Sequence, residues 1–299
     1  MVRPTRCQDA QARADSVTDM ETGSRMRFAI CQELFEGWEW ERQCEFIART
    51  GYTGIEVAPF AIADDVRQVE QKQLATMREQ AEAHGLQVIG LHWLLAKTEG
   101  LHLTSTSEEV RIETARYLAH LAWMCDELGG DLMVFGSPQQ RNISEKISKK
   151  VGMDLAAEVF KRAFDAMGDR AVRICMEPLT TKETDFINTC AEAVELIERV
   201  NDPRFVLHQD VKAMLGAESD SIPTLIDRHR HQTGHFHVND SNLLGPGMGE
   251  TDYEPILKAL LGAEYAGWVS VEVFDYNPGC EHIAQVSLEY LKRTLETVS

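Results

Sequence analysis

The chain reads as a single (β/α)8 barrel, an α/β fold of the TIM-barrel class, and three observations predict it. Short apolar or β-branched runs alternate with longer helix-periodic stretches eight times between residues 26 and 299. A barrel of this kind uses roughly 250 residues as one domain, so the length calls for no second one. The first strand is not followed by GxGxxG, the phosphate-binding turn of an open dinucleotide-binding sheet.

The expected strands are 27–32, 54–58, 87–93, 131–136, 172–177, 205–210, 234–238 and 268–274. Expected helices between them include 39–50, 65–85 and 107–129. In the last of these Ile112, Ala115, Leu118, Ala119 and Ala122 fall on one helical face. Gly51, Gly85 and Gly129 each follow a helix end, where a left-handed cap costs glycine least. No repeat beyond the βα alternation, no low-complexity stretch and no internal linker interrupts residues 26–299. Residues 1–25 carry both charge signs and no hydrophobic run of a secretory signal. They are expected to form a flexible N-terminal extension, with Met26 an alternative start.

Composition narrows the function. With 30 basic and 48 acidic residues the net charge is −18, which argues against a nucleic-acid partner, whose phosphates call for basic neutralisation. No apolar run approaches the ~18 residues of a membrane span, so no membrane partner is expected. Seven scattered cysteines without a CxxC pair imply neither a zinc knuckle nor a disulfide framework. A cytoplasmic location is the expectation.

Active sites of such barrels lie at the carboxyl ends of the strands. Strand five ends in Glu177, strand six in Asp210, strand seven in His237, and strand eight carries Glu272. A lone strand-end glutamate usually pairs with a neighbouring loop, and a lone histidine is usually core. Four consecutive strands bringing three carboxylates and an imidazole to one rim require a cation. Mixed oxygen and nitrogen donors suit one divalent ion, Mn2+ first, with Mg2+, Co2+ or Zn2+ as alternatives.

Weaker candidates share that rim. Glu56 ends strand two, and His92 and Trp93 end strand three. His92 could bind a hydroxyl and Trp93 could wall the carbons of a ligand, while core packing accounts for either equally well. His208 and His235 stand two residues before Asp210 and His237, one layer deeper, where hydrogen bonding behind the ligands is expected.

The segments MEPLTTKE (176–183), LHQD (207–210), GHFHVNDSN (234–242) and VSVEVF (269–274) resemble those of the xylose-isomerase-like barrel superfamily of sugar isomerases and epimerases. The D-tagatose 3-epimerase and D-psicose 3-epimerase branch is the nearest functional relative, and the resemblance spans residues 26–299. It implies that Glu177, Asp210, His237 and Glu272 are metal ligands and that Glu183, six residues past the first ligand, binds substrate. Two positions depart from the pattern: Ala213 replaces a substrate-contacting histidine, and Leu243 replaces an arginine. Arg141, Lys212, Asn239 and Asn242 are polar candidates to fill that gap, although Arg141 and Lys212 read equally well as solvated loop charges.

The resemblance implies a metal-dependent isomerase or epimerase acting on a ketose through an enediolate, with Glu177 and Glu272 as catalytic proton carriers on opposite sides of the sugar. A homodimer or homotetramer is the implied assembly. The missing histidine and arginine leave a lyase or dehydratase of keto-sugars or inosose-like substrates as the alternative. An endonuclease IV-like nuclease needs a downstream Asp-x-His, which GPGMGETDY lacks. A non-catalytic binding protein remains if the metal site is degenerate.

Overall fold

A computed structural model describes residues 26–299, and the expected N-terminal extension lies outside the described residues. Eight strands, β1 (Arg27–Cys31), β2 (Gly54–Val57), β3 (Gln87–Leu91), β4 (Leu132–Phe135), β5 (Arg173–Met176), β6 (Phe205–Asp210), β7 (Thr233–Val238) and β8 (Trp268–Val271), close in sequence order into one barrel. Every pairing is parallel, and β8 returns to β1. Parallel neighbours need a crossover, and the helices that supply it cover the outside of the barrel.

Those helices are α1 (Trp40–Thr50), α2 (Gln71–Ala83), α3 (Glu108–Leu128), α4 (Lys149–Met167), α5 (Cys190–Val200), α6 (Val211–Ala217), α7 (Ile222–His229), α8 (Glu254–Gly262) and α9 (Cys280–Val298). The Ser107 side chain caps α3 by accepting from the Val110 amide, and Gly129 ends it in the left-handed region at φ 88°. One expected helix breaks. The stretch 65–85 divides into a 3-10 turn at Val66–Gln68 and α2, because Val69 and Glu70 are extended and Asp65 accepts from the Arg67 amide. Burial of both Val66 and Val69 accompanies the break: an apolar pair three residues apart is served by a tight turn as well as by a helix.

The strands also stop earlier than their sequence runs suggest. Glu177 and Glu272 occupy the first position after β5 and β8 rather than lying within them. Each is still anchored to the sheet: the Glu177 amide donates to Phe135 O at 3.1 Å, and the Glu272 amide to Val238 O at 3.2 Å. His92 repeats the device after β3, donating to Val57 O at 3.1 Å. Side-chain direction is therefore inherited from the strand while the backbone is freed to turn.

Inside the barrel, Ala29, Ile89 and Trp268 form an apolar plug near the amino ends of the strands. Gly54 makes room for it, since a Cβ there would lie within 2.9 Å of atoms of all three. Above the plug the interior turns polar, with Glu56, His208, His235 and Ser270 fully buried. Among the described residues no helix is long and apolar enough to cross a membrane, and the six described cysteines are free thiols.

Candidate metal centre and active site

At the carboxyl mouth, donor atoms of Glu177, Asp210, His237 and Glu272 all lie within 4.8 Å of one another, and all four residues are buried. Burial raises the Glu177 carboxyl well above the usual range, and repulsion from Glu272 and Asp210 adds to it. Burial also raises Asp210, partly countered by Lys212. For Glu272 burial acts in the same direction, but His237 outweighs it and keeps that carboxyl low.

The surroundings hold each donor in place. Asp210 ends β6 and caps α6: its Oδ1 accepts from the Ala213 amide at 2.7 Å, and its Oδ2 from Asn239 Nδ2 at 2.6 Å. Asn239 is gripped in turn, its Oδ1 accepting from the Lys212 amide at 2.8 Å and its carbonyl from the Tyr253 hydroxyl. Trp93 Nε1 donates to Glu272 Oε1 at 2.9 Å. Gly136 gives Glu177 its space, because a Cβ there would stand 2.4 Å from Glu177 Oε2.

Glu56 decides which His237 nitrogen faces the cluster. His237 Nε2 lies 3.1 Å from both oxygens of Glu56, and His235 Nε2 donates to the same carboxylate at 2.5 Å. Burial opposes charge on Glu56, yet the two histidines hold its carboxyl well below the usual range. With the Nε2 proton directed at Glu56, Nδ1 turns to Glu272 Oε2 at 3.1 Å. Two lone-pair atoms at that separation repel unless a proton or a cation lies between them. The donor set of three carboxylates and one imidazole nitrogen, backed by a carboxylate, fits a divalent ion.

The cavity over this cluster is lined by Trp93, His92, Gly136, Ser137, Glu183, Lys212 and Phe274, together with Glu177 and Glu272. Lys212 Nζ donates to Glu183 Oε1 at 2.8 Å and lies 3.8 Å from the Phe274 ring centroid. Of the candidate ligand-binding residues, Glu183, His92, Trp93 and Lys212 thus border the cavity. Arg141 and Asn239 do not. Arg141 is fully buried, and its guanidinium donates to the backbone carbonyls of Glu177 at 2.6 Å and Ile187 at 3.4 Å. It is neither a solvated loop charge nor a wall of the cavity. Asn242 is exposed and donates to Met248 O.

Other neighbours were not singled out by sequence. Glu33, two residues past β1, accepts from His92 Nε2 at 2.5 Å. The strand-end rule applied to β1 would have found it. Phe274 follows Glu272 by two residues, so a period of two puts both on one side. His235 makes the expected contact behind the ligands, whereas neither ring nitrogen of His208 has a hydrogen-bond partner. Burial, with His237 and His235 adjacent, holds His208 neutral.

The sequence model of a family described as "xylose isomerase-like TIM barrel" matches residues 44–294. The chain belongs to that family. Among its relatives, the probable ketose 3-epimerase of Synechocystis sp. is 25% identical over 83% of this chain and 88% of its own length. The D-psicose 3-epimerase of Agrobacterium fabrum is 27% identical over 79% of this chain and 82% of its own. The crystal structure of D-psicose 3-epimerase with D-tagatose from Clostridium cellulolyticum H10 shares the fold, with a TM-score of 0.78 at 21% identity over 90% of this chain and 99% of that one. By name these relatives within the xylose isomerase-like barrel are 3-epimerases, of ketoses or of D-psicose.

Proposed function

We propose that this protein is a divalent-metal-dependent isomerase or epimerase of ketoses, with Glu177 and Glu272 as the two proton carriers. The observation that carries the reading is the buried convergence of Glu177, Asp210, His237 and Glu272 donor atoms within 4.8 Å. The names of the relatives supply the substrate class. A bound divalent cation, Mn2+ foremost, supplies Lewis-acid polarisation of the substrate carbonyl, which lowers the cost of negative charge developing on oxygen.

The chain's own residues do the rest. One of the two carboxylates takes the proton from the carbon beside the carbonyl and the other returns it, so the pair titrates as a unit. Trp93 keeps Glu272 aimed, and Gly136 leaves Glu177 free to approach. Glu183 and Lys212 present an acceptor and a donor to substrate hydroxyls, and Trp93 and Phe274 cover the sugar carbons and exclude water.

The test is metal analysis of the purified protein followed by NMR of ketoses incubated with it in D2O. About one divalent ion per chain and deuterium incorporation without loss of water are expected. Elimination products would instead make it a lyase. Glu177→Gln and Glu272→Gln should each lower exchange by about 10²-fold or more, and full exchange in both would remove the two-glutamate mechanism.

A further inference from the structure

The cavity over the four donors is small, about 90 Å3, well below the roughly 300–1,000 Å3 of ordinary small-molecule sites. A second cavity of about 330 Å3 lies beside it, and Glu183 and Lys212 line both. The outer cavity by itself lies within the usual range, whereas the space over the donors does not. The Glu183–Lys212 ion pair is thus the partition between an inner chamber and an outer one.

The outer chamber has a distinct chemistry. Leu215 and Leu243 line it at 49% and 43% exposure, two of the four large hydrophobic side chains that stand open among the described residues. Single exposed leucines are ordinary, but two on one cavity that continues into a candidate active site mark a binding surface. Leu243 also holds a left-handed backbone at φ 72°, a conformation costly for leucine. Its carbonyl accepts from the Phe274 and Asp275 amides at 2.9 and 3.0 Å, which ties this wall to the segment carrying Glu272. Lys182 and Ser241 add polar groups to the same cavity.

Charge decides what such a chamber takes. Glu177, Glu183, Glu272 and Lys212 line the inner cavity, and Lys182, Glu183 and Lys212 line the outer one. Lys212 is already held by Glu183, which leaves Lys182 as the single lysine of the outer chamber open to a ligand, one donor group where a phosphate ordinarily gathers several. A sugar ring meets both sides of this surface, with C–H faces for the leucines and hydroxyls for Lys182 and Ser241.

We propose that the substrate is a ketose bearing a neutral second sugar ring on a hydroxyl remote from the carbonyl, with the ketose over the four donors and the second ring in the outer chamber. This rests on the function proposed above. The test measures solvent deuterium exchange by the metal-loaded protein with three probes: a free ketohexose, the same ketohexose carrying a glucosyl group on its terminal hydroxyl, and its terminal phosphate ester. The glucosyl derivative should exceed the free sugar in kcat/KM by about tenfold or more, and most of that ratio should vanish in the double variant Leu215→Ala, Leu243→Gly. A ratio near one, or one that persists in the variant, overturns the outer chamber as a substrate site. A preference for the phosphate ester overturns the neutral assignment. Absence of exchange with all three at full metal loading overturns the isomerase reading itself, and this inference with it.

Discussion

Glu56 and His237, 181 positions apart, meet inside the barrel with both Glu56 oxygens 3.1 Å from His237 Nε2. That contact directs the imidazole proton away from the acidic cluster and leaves Nδ1 to face Glu272. Carboxylates behind metal-binding histidines act in this way, and their loss typically costs about 10–100-fold in metal affinity. Glu56→Gln should therefore weaken binding of a divalent ion by about that factor in a calorimetric titration. Unchanged affinity would show that the tautomer is set by something else.

Gly136→Ala puts a methyl group 2.4 Å from Glu177 Oε2. The obstructing atom is the end of a flexible side chain, so the fold should survive and the carboxylate should move. A displacement of about 1 Å can cost about 10²-fold in rate. Exchange activity should fall by that order while the melting temperature stays near that of the parent. Loss of both together would point to misfolding instead.

Trp93→Phe keeps an aromatic ring near Phe60 and Phe274 but removes the donor to Glu272 Oε1. Hydrogen bonds to charged groups are worth about 1.5–3 kcal/mol, so kcat/KM should drop about tenfold or somewhat more. A variant with parental kinetics would mean that His237 alone orients Glu272.

Stability should fall on acidification through two histidines outside the candidate metal centre. Burial lowers His102 and His229 below the ordinary imidazole value, and His102 Nδ1 accepts from the Thr104 amide. The folded chain therefore takes up these two protons at lower pH than the unfolded chain, which does so as the pH falls through about 6.5. Their contribution is complete above that pH and declines below it. Thermal melts between pH 7.5 and 5.5 should show the decline, and His102→Gln should make it shallower. An unchanged slope would reassign the acid sensitivity to carboxylates.

The barrel and the four donors were legible in the sequence because each is written once per βα unit. A strand of four to six residues and the residue just beyond it carry both the fold signal and the candidate ligand, so the convergence of Glu177, Asp210, His237 and Glu272 could be anticipated without coordinates. Lys212 and Glu183 were named as separate candidates, and only the folded chain shows them as an ion pair dividing two cavities. Tertiary structure alone decided the pairs that cross the barrel: Glu33 with His92, Glu56 with His235 and His237, and Trp93 with Glu272. It also decided the burial of Arg141 behind Glu177. Local periodicity specifies which way a side chain points from its own strand, whereas the partner it meets depends on where distant strands stand once the ring closes.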